Sequence, residues 1–76
     1  MESDLSFDQP RRVISLDSGE YTSEPLRQGP VEILGWFCDD GPEFGWYRNG
    51  KIMTNDGSYI FESEVTRWRP AVEVDA

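Results

Sequence analysis

Hydrophobic and polar residues alternate over short runs in this chain, and clusters of Gly, Pro, Asn and Asp separate the runs, the pattern of antiparallel strands joined by tight turns. The pattern is densest from Gly35 to Ile52, where two turn signals stand, Asp39-Asp40-Gly41-Pro42 and Asn49-Gly50. Asn-Gly most strongly favours a two-residue hairpin loop, because both residues tolerate positive φ. A loop there sets Arg48 opposite Lys51, Tyr47 opposite Ile52 and Trp46 opposite Met53. If Asp39 to Pro42 is the other loop, Cys38 faces Glu43 and Phe37 faces Phe44. Carried inward, that register puts Gly35 opposite Trp46 and Gly45 opposite Trp36, each glycine covered by a cross-strand indole. The expected unit is a three-stranded antiparallel meander over residues 31 to 54, with 43 to 48 at its centre.

Alternation then divides the side chains between two faces. Val31, Ile33, Phe37, Phe44, Trp46 and Met53 share one, with Arg48 and Lys51 at the tip, and this is the expected core. Glu32, Leu34, Trp36, Cys38, Glu43, Tyr47, Ile52 and Thr54 share the other.

Outside the meander, residues 1 to 10 carry Glu2, Asp4 and Asp8 and end at Pro10, which reads as a flexible acidic tail. Residues 11 to 17 suit a short strand. Residues 18 to 30, with Gly19, Pro25, Gly29 and Pro30, read as a long loop with room for one helical turn at Glu24 to Gln28. After a turn at Asn55 to Ser58, Tyr59-Ile60-Phe61 is a short apolar strand, and residues 65 to 69 alternate as a closing strand. Pro70 cannot donate to a ladder, so that strand is expected to end there or to run along an edge. Residues 73 to 76 form a second acidic tail. The fold class that follows is mostly β: one domain over residues 11 to 72, an antiparallel meander of four to five strands in a strongly bent sheet or partly open barrel.

Composition narrows the partners. Seventy-six residues build one domain with a marginal core, so the aromatic side chains must supply much of its buried area. Fifteen acidic against seven basic residues give a net charge of -8, which repels phosphate backbones and argues against direct nucleic-acid binding. No run of about 18 apolar residues exists, and Met1 to Asp4 lacks the basic and apolar regions of a signal peptide, so a cytoplasmic protein is expected, with no membrane partner. The single Cys38 agrees with a reducing compartment.

Candidate chemistry is sparse. Without histidine the chain lacks the usual general base near neutral pH and the commonest metal ligand, so no catalytic, metal or cofactor residues are assigned. Asp39, Asp40 and Glu43 cluster at one turn and Asp56, Glu62 and Glu64 near another. Neither cluster has the spacing of a calcium loop, and both read as solvated turn residues. Asp39 and Asp40 disfavour a thiolate at Cys38, which reads as an inert strand-end residue. Arg67, Trp68 and Arg69 mix cations with an aromatic as nucleic-acid surfaces do, but on so acidic a chain the arginines are expected to pair with carboxylates.

Four segments carry a resemblance: Ser23-Glu24-Pro25-Leu26, Gly29 to Leu34, Gly45 to Lys51 and Val65 to Pro70. Together they resemble a family of short phage and prophage domains of unknown function. Its members have a Ser-Glu-x-Leu-Pro loop, a Val-Leu-Val strand, a Gly-Tyr-Tyr-x-x-Gly hairpin and a closing Val-Thr-His-Trp-Met-Pro. The chain departs from it at Arg67, where the family has His, and at Pro25-Leu26, which inverts Leu-Pro. The resemblance implies a phage or prophage accessory gene and supplies no activity.

With the first face as core, Leu34, Trp36, Tyr47 and Ile52 would stand exposed beside Glu32 and Glu43, an apolar patch with an acidic rim, as in protein interfaces. The alternative is that the 11 to 17 strand, the 65 to 69 strand or the long loop covers that patch. The expected protein-binding residues are Leu34, Trp36, Tyr47, Ile52, Asp39, Asp40 and Glu43. The expected function is a non-enzymatic accessory protein that inhibits or modulates a host protein, with a basic nucleic-acid-binding factor as the partner its charge suits. The alternative is an assembly component that oligomerises through a sheet edge.

Overall fold

The computed structural model describes residues 11 to 75, so the tail expected at residues 1 to 10 lies outside the described residues. Six strands form one antiparallel sheet: β1 (Arg11–Ser15), β2 (Gly29–Gly35), β3 (Glu43–Arg48), β4 (Lys51–Thr54), β5 (Tyr59–Phe61) and β6 (Val65–Asp75), in the order β1-β6-β2-β3-β4-β5. A 3-10 turn, Glu62–Glu64, joins β5 to β6. The fold is mostly β and antiparallel as expected, with six strands where four or five were predicted, and the sheet is not closed into a barrel. No helix among the described residues is long and apolar enough to cross a membrane.

The β3–β4 hairpin keeps the expected register, with Arg48 opposite Lys51, Tyr47 opposite Ile52 and Trp46 opposite Met53. Asn49 (φ 48°) and Gly50 (φ 86°) supply the positive φ pair that a primed two-residue loop requires. The β2–β3 register differs. Trp46 faces Pro30 rather than Gly35, and Gly45 faces Val31 rather than Trp36, so the pairing is displaced by five positions and the loop runs from residue 36 to 42. Because side chains alternate with period two, an odd displacement exchanges the faces of one strand relative to its partner. The core face therefore collects Val31 and Ile33 from β2 with Tyr47, Ile52 and Ile60, while Trp46 and Met53 lie on the opposite face. The glycines are not roofed by indoles either: a Cβ on Gly45 would collide with the Met53 carbonyl oxygen and stand 2.8 Å from Ile52 Cγ2.

What selects this register is β6, which pairs with β2 from Val65 to Pro70 and sets Trp68 opposite Ile33. The strand does not end at Pro70. It continues to Asp75 and pairs with β1, so the residues expected as a C-terminal tail, 73 to 75, are ladder residues. Trp68 exchanges both backbone hydrogen bonds with Thr22 (2.8 and 2.9 Å), so the backbone of residue 70, two positions on, faces the same side. There β1 has already stopped, at Ser15 opposite Ala71, and the missing proline N–H has no partner to disappoint.

Two apolar layers result. Val31, Ile33, Ile52 and Trp68 are buried on one face, with Leu26, Phe37, Tyr47, Ile60 and Val65 packed around them. The long loop covers this layer, and its Glu24 carbonyl accepts the Trp68 indole N–H at 2.7 Å. On the other face the β1–β6 ribbon folds back toward β2 and β3 and buries Val13 and Ala71. Asn55 fastens that ribbon: its side-chain oxygen accepts the Val13 N–H (2.8 Å) and its amide donates to the Val13 carbonyl (3.0 Å). A side chain thereby occupies part of an edge that would otherwise invite another strand.

Candidate functional site

Trp36 follows directly on β2 and is 75 % exposed, the most exposed large hydrophobic side chain among the described residues. It is nevertheless held. Its indole N–H donates to Glu64 Oε1 at 2.9 Å, and its ring meets Phe37 edge-on with centroids 6.0 Å apart. Phe37 is itself packed against the core, which gives the indole a rigid base. The second oxygen of Glu64 accepts the Phe61 backbone N–H at 3.2 Å, and the Phe61 ring is exposed as well. The neighbouring Glu62 accepts the Tyr47 hydroxyl at 2.8 Å, which raises the Tyr47 pKa because losing the proton would oppose two negative charges. One acidic 3-10 turn thus fixes both Trp36 and Tyr47.

The seven expected binding residues do not share a face. Ile52 is fully buried in the core, a correction that follows from the odd displacement of β2 against β3. Leu34 is half-buried opposite Arg67, and Tyr47 packs its ring against the core while presenting its hydroxyl to Glu62. Asp39 and Asp40 are exposed in the 36 to 42 loop, with Glu43 half-buried at the start of β3. The structure therefore groups Trp36 and Tyr47 through the Glu62–Glu64 turn, and sets Asp39 and Asp40 in the loop that follows Trp36, with Glu43 where that loop enters β3. Cys38 is half-buried, its Sγ 3.5 Å from the Ile33 carbonyl oxygen. Asp56 is a turn residue: hydrogen bonds from the Thr54 hydroxyl and from Ser58 hold its pKa below the ordinary carboxylate value. Among the described residues no group of three His, Cys, Asp or Glu side chains is arranged to hold a metal ion.

One charged cluster was not foreseen. Glu32, expected on the solvated rim, is 2 % exposed and lies on the face opposite the apolar core. Arg69 grips it as a fork, Nε to Oε1 at 3.1 Å and Nη2 to Oε2 at 3.2 Å, and the Tyr21 hydroxyl donates to Oε2. Arg69 also stacks over the Tyr21 ring (4.6 Å) and donates to the Gly19 carbonyl at 2.8 Å. Burial pushes the Glu32 carboxyl up, but the hydrogen bonds from Tyr21, Arg69 and Ser15 outweigh it and leave the pKa below the ordinary value. Nothing local marks this cluster, because Tyr21, Glu32 and Arg69 are far apart in the chain. The expectation that Arg69 pairs with a carboxylate does find its partner here. The cluster ties the long loop to β2 and β6 and is closed to solvent at Glu32, so its work is structural.

Comparison with family models, with curated proteins and with solved structures finds no match for this chain.

Proposed function

We propose that this chain is a small acidic binding module that seats Trp36 in a pocket on a basic partner protein, with Asp39, Asp40, Glu43 and Glu64 as the charged surround. The observation that carries the reading is the state of Trp36: a large apolar ring, three-quarters exposed, whose orientation is fixed by Glu64 and Phe37. An anchor already held in its bound orientation loses less freedom on association. The net charge of -8 favours encounter with a basic surface. The resemblance to short phage and prophage domains supports an accessory role in which the module inhibits or modulates a host factor, nucleic-acid-binding proteins being the basic class it suits. Ser23 to Leu26, Gly29 to Leu34 and Val65 to Pro70 meet around Trp68, and Trp36 lies outside all four resembling segments. The reading is one of binding rather than catalysis, in a cytoplasmic setting.

Trp36→Ala tests it. Stability should stay within about 0.5 kcal/mol, as for a surface substitution. Affinity for proteins captured from host lysate should fall by about 2 kcal/mol or more, because the pocket on the partner is left unfilled. A Trp36→Ala variant that captures the same proteins with the same affinity sinks the proposal.

A second reading has one observation in its favour. Ser58 and Glu62 bond to β4 and to the hairpin loop beside it, so by alternation Tyr59 and Phe61 turn their backbone groups away from the sheet, and no described strand lies beyond β5. Both side chains are exposed, which would suit a second copy pairing edge to edge at Tyr59, the Phe61 N–H being already taken by Glu64. Light scattering across a concentration series separates the two: a persistent monomer supports the module, a defined oligomer the assembly component.

A further inference from the structure

On the face opposite the apolar core, the β3–β4 hairpin, β5, the start of β1 and the end of β6 border an open groove of about 720 Å³, within the range of small-ligand sites. Trp46, Met53 and Tyr59 form its apolar wall, and Arg11, Arg48 and Lys51 supply its charge. Three of the seven basic side chains of a strongly acidic chain therefore line one groove. Arg48 and Lys51 are directly opposed across the hairpin, an arrangement of like charges that destabilises a strand pair unless an anion lies between them. Neither makes an ion pair among the described residues, whereas Arg11 is engaged by Glu73 at 2.6 Å and by Asp75 at 3.7 Å. Lys51 is also placed, its Nζ lying 5.2 Å over the Tyr59 ring. The one carboxylate in the groove, Glu73, is held by Arg11 and by the Trp46 indole N–H (3.1 Å), which keep its pKa below the ordinary value and engage both of its oxygens.

We propose that this groove binds a nucleoside phosphate, with the base against Trp46, Met53 and Tyr59 and the phosphate between Arg48 and Lys51. A guanidinium fork beside an ammonium matches phosphate oxygens, and two aromatic rings with a thioether match a flat heterocycle. The charge distribution favours a single nucleotide over a polymer. Within the groove the cations are close enough to act on one ligand, but beyond a Debye length of about 8 Å a longer phosphate backbone meets an acidic surface. This site is separate from Trp36, so its failure would leave the protein-binding proposal standing.

The test is titration with ATP, followed by calorimetry and by the three indole N–H resonances. The Trp46 resonance should shift with saturation while that of Trp68, bonded to Glu24 on the other face, stays in place. Arg48→Ala and Lys51→Ala, both at exposed positions of the hairpin, should each weaken binding about tenfold or more. Arg67→Ala, which removes an exposed cation outside the groove, should leave it unchanged. Pyrophosphate binding as tightly as ATP would reduce the site to an adventitious ion only and overturn the proposal. So would an unmoved Trp46 resonance, or tighter binding of a single-stranded oligonucleotide or an acidic peptide than of ATP.

Discussion

Replacing Glu32 by Gln removes the charge from a buried cluster while nearly preserving its shape, and the structure sets the size and the pH dependence of the effect. The carboxylate is 2 % exposed and accepts two bonds from Arg69 and one from Tyr21. Removing one partner of a buried ion pair costs about 3 to 5 kcal/mol when the other charge is stranded. Arg69 is not wholly stranded, since its side chain is 16 % exposed and keeps the Gly19 carbonyl. An expected loss of about 2 to 3 kcal/mol follows, close to the value of charged hydrogen bonds elsewhere. With a urea slope of about 1 kcal/mol per M for so small a domain, the midpoint should fall by about 2 to 3 M. Total stability at this length is about 4 to 11 kcal/mol, so the variant remains foldable. The folded pKa of Glu32 lies below its unfolded value, so its contribution is present above the unfolded pKa of about 4.3 and is lost as pH falls through the folded one. The substituted glutamine does not titrate. The gap between parent and variant must therefore be full at pH 7 and must close as the pH is lowered below the ordinary carboxylate range. Urea melts followed by tryptophan fluorescence at pH 7 and at acid pH measure both. A gap under about 0.5 kcal/mol at pH 7, the size of an ordinary surface substitution, or one that stays constant into acid, would refute the account of Glu32 as a paired, ionised group.

Three further outcomes follow from the packing. Gly45→Ala places a methyl against the β4 backbone and should cost about 1 to 3 kcal/mol in a denaturant melt, the two strands having to part. Asn55→Ala should lower stability by about 1 to 2 kcal/mol and speed hydrogen exchange at the Val13 amide, while the Thr22 amide, bonded to Trp68, keeps its protection. Trp68→Ala removes the largest buried ring, together with its bond to Glu24, and should cost about 3 to 5 kcal/mol by thermal melting, in contrast to the near-neutral Trp36→Ala.

The hairpin was legible because its information is local: Asn49-Gly50 dictates the loop, and a two-residue loop dictates the register of β3 on β4. The same argument failed one strand earlier. Asp39 to Pro42 looked like a tight turn, but residues 36 to 42 form a longer loop whose length carries no register. The candidate site inherited that error. The exposure of Trp36 was foreseen, although on a strand face rather than in a loop, and Ile52 was placed outside when it lies at the centre of the core. The continuation of β6 did leave a signal, since Val72 and Val74 keep the alternation that Trp68 begins, and the missing donor of Pro70 was given too much weight.

By itself, then, the sequence determined what neighbours along the chain can settle: strand-forming runs, their turns, one hairpin register, an acidic surface and an antiparallel β class. Only the tertiary structure decided which faces of β3 and β4 point inward, because that choice rests on their register against β2, whose Val31 and Ile33 are held inward beside β6, far along the chain. Side-chain alternation has a period of two, so a displacement of five changes every inward residue of a strand without changing a single local propensity. Trp68 opposite Ile33 and Arg69 opposite Glu32 are satisfied together in one register alone, and that register buries the carboxylate, frees Trp46 to wall a groove and leaves Trp36 at the surface.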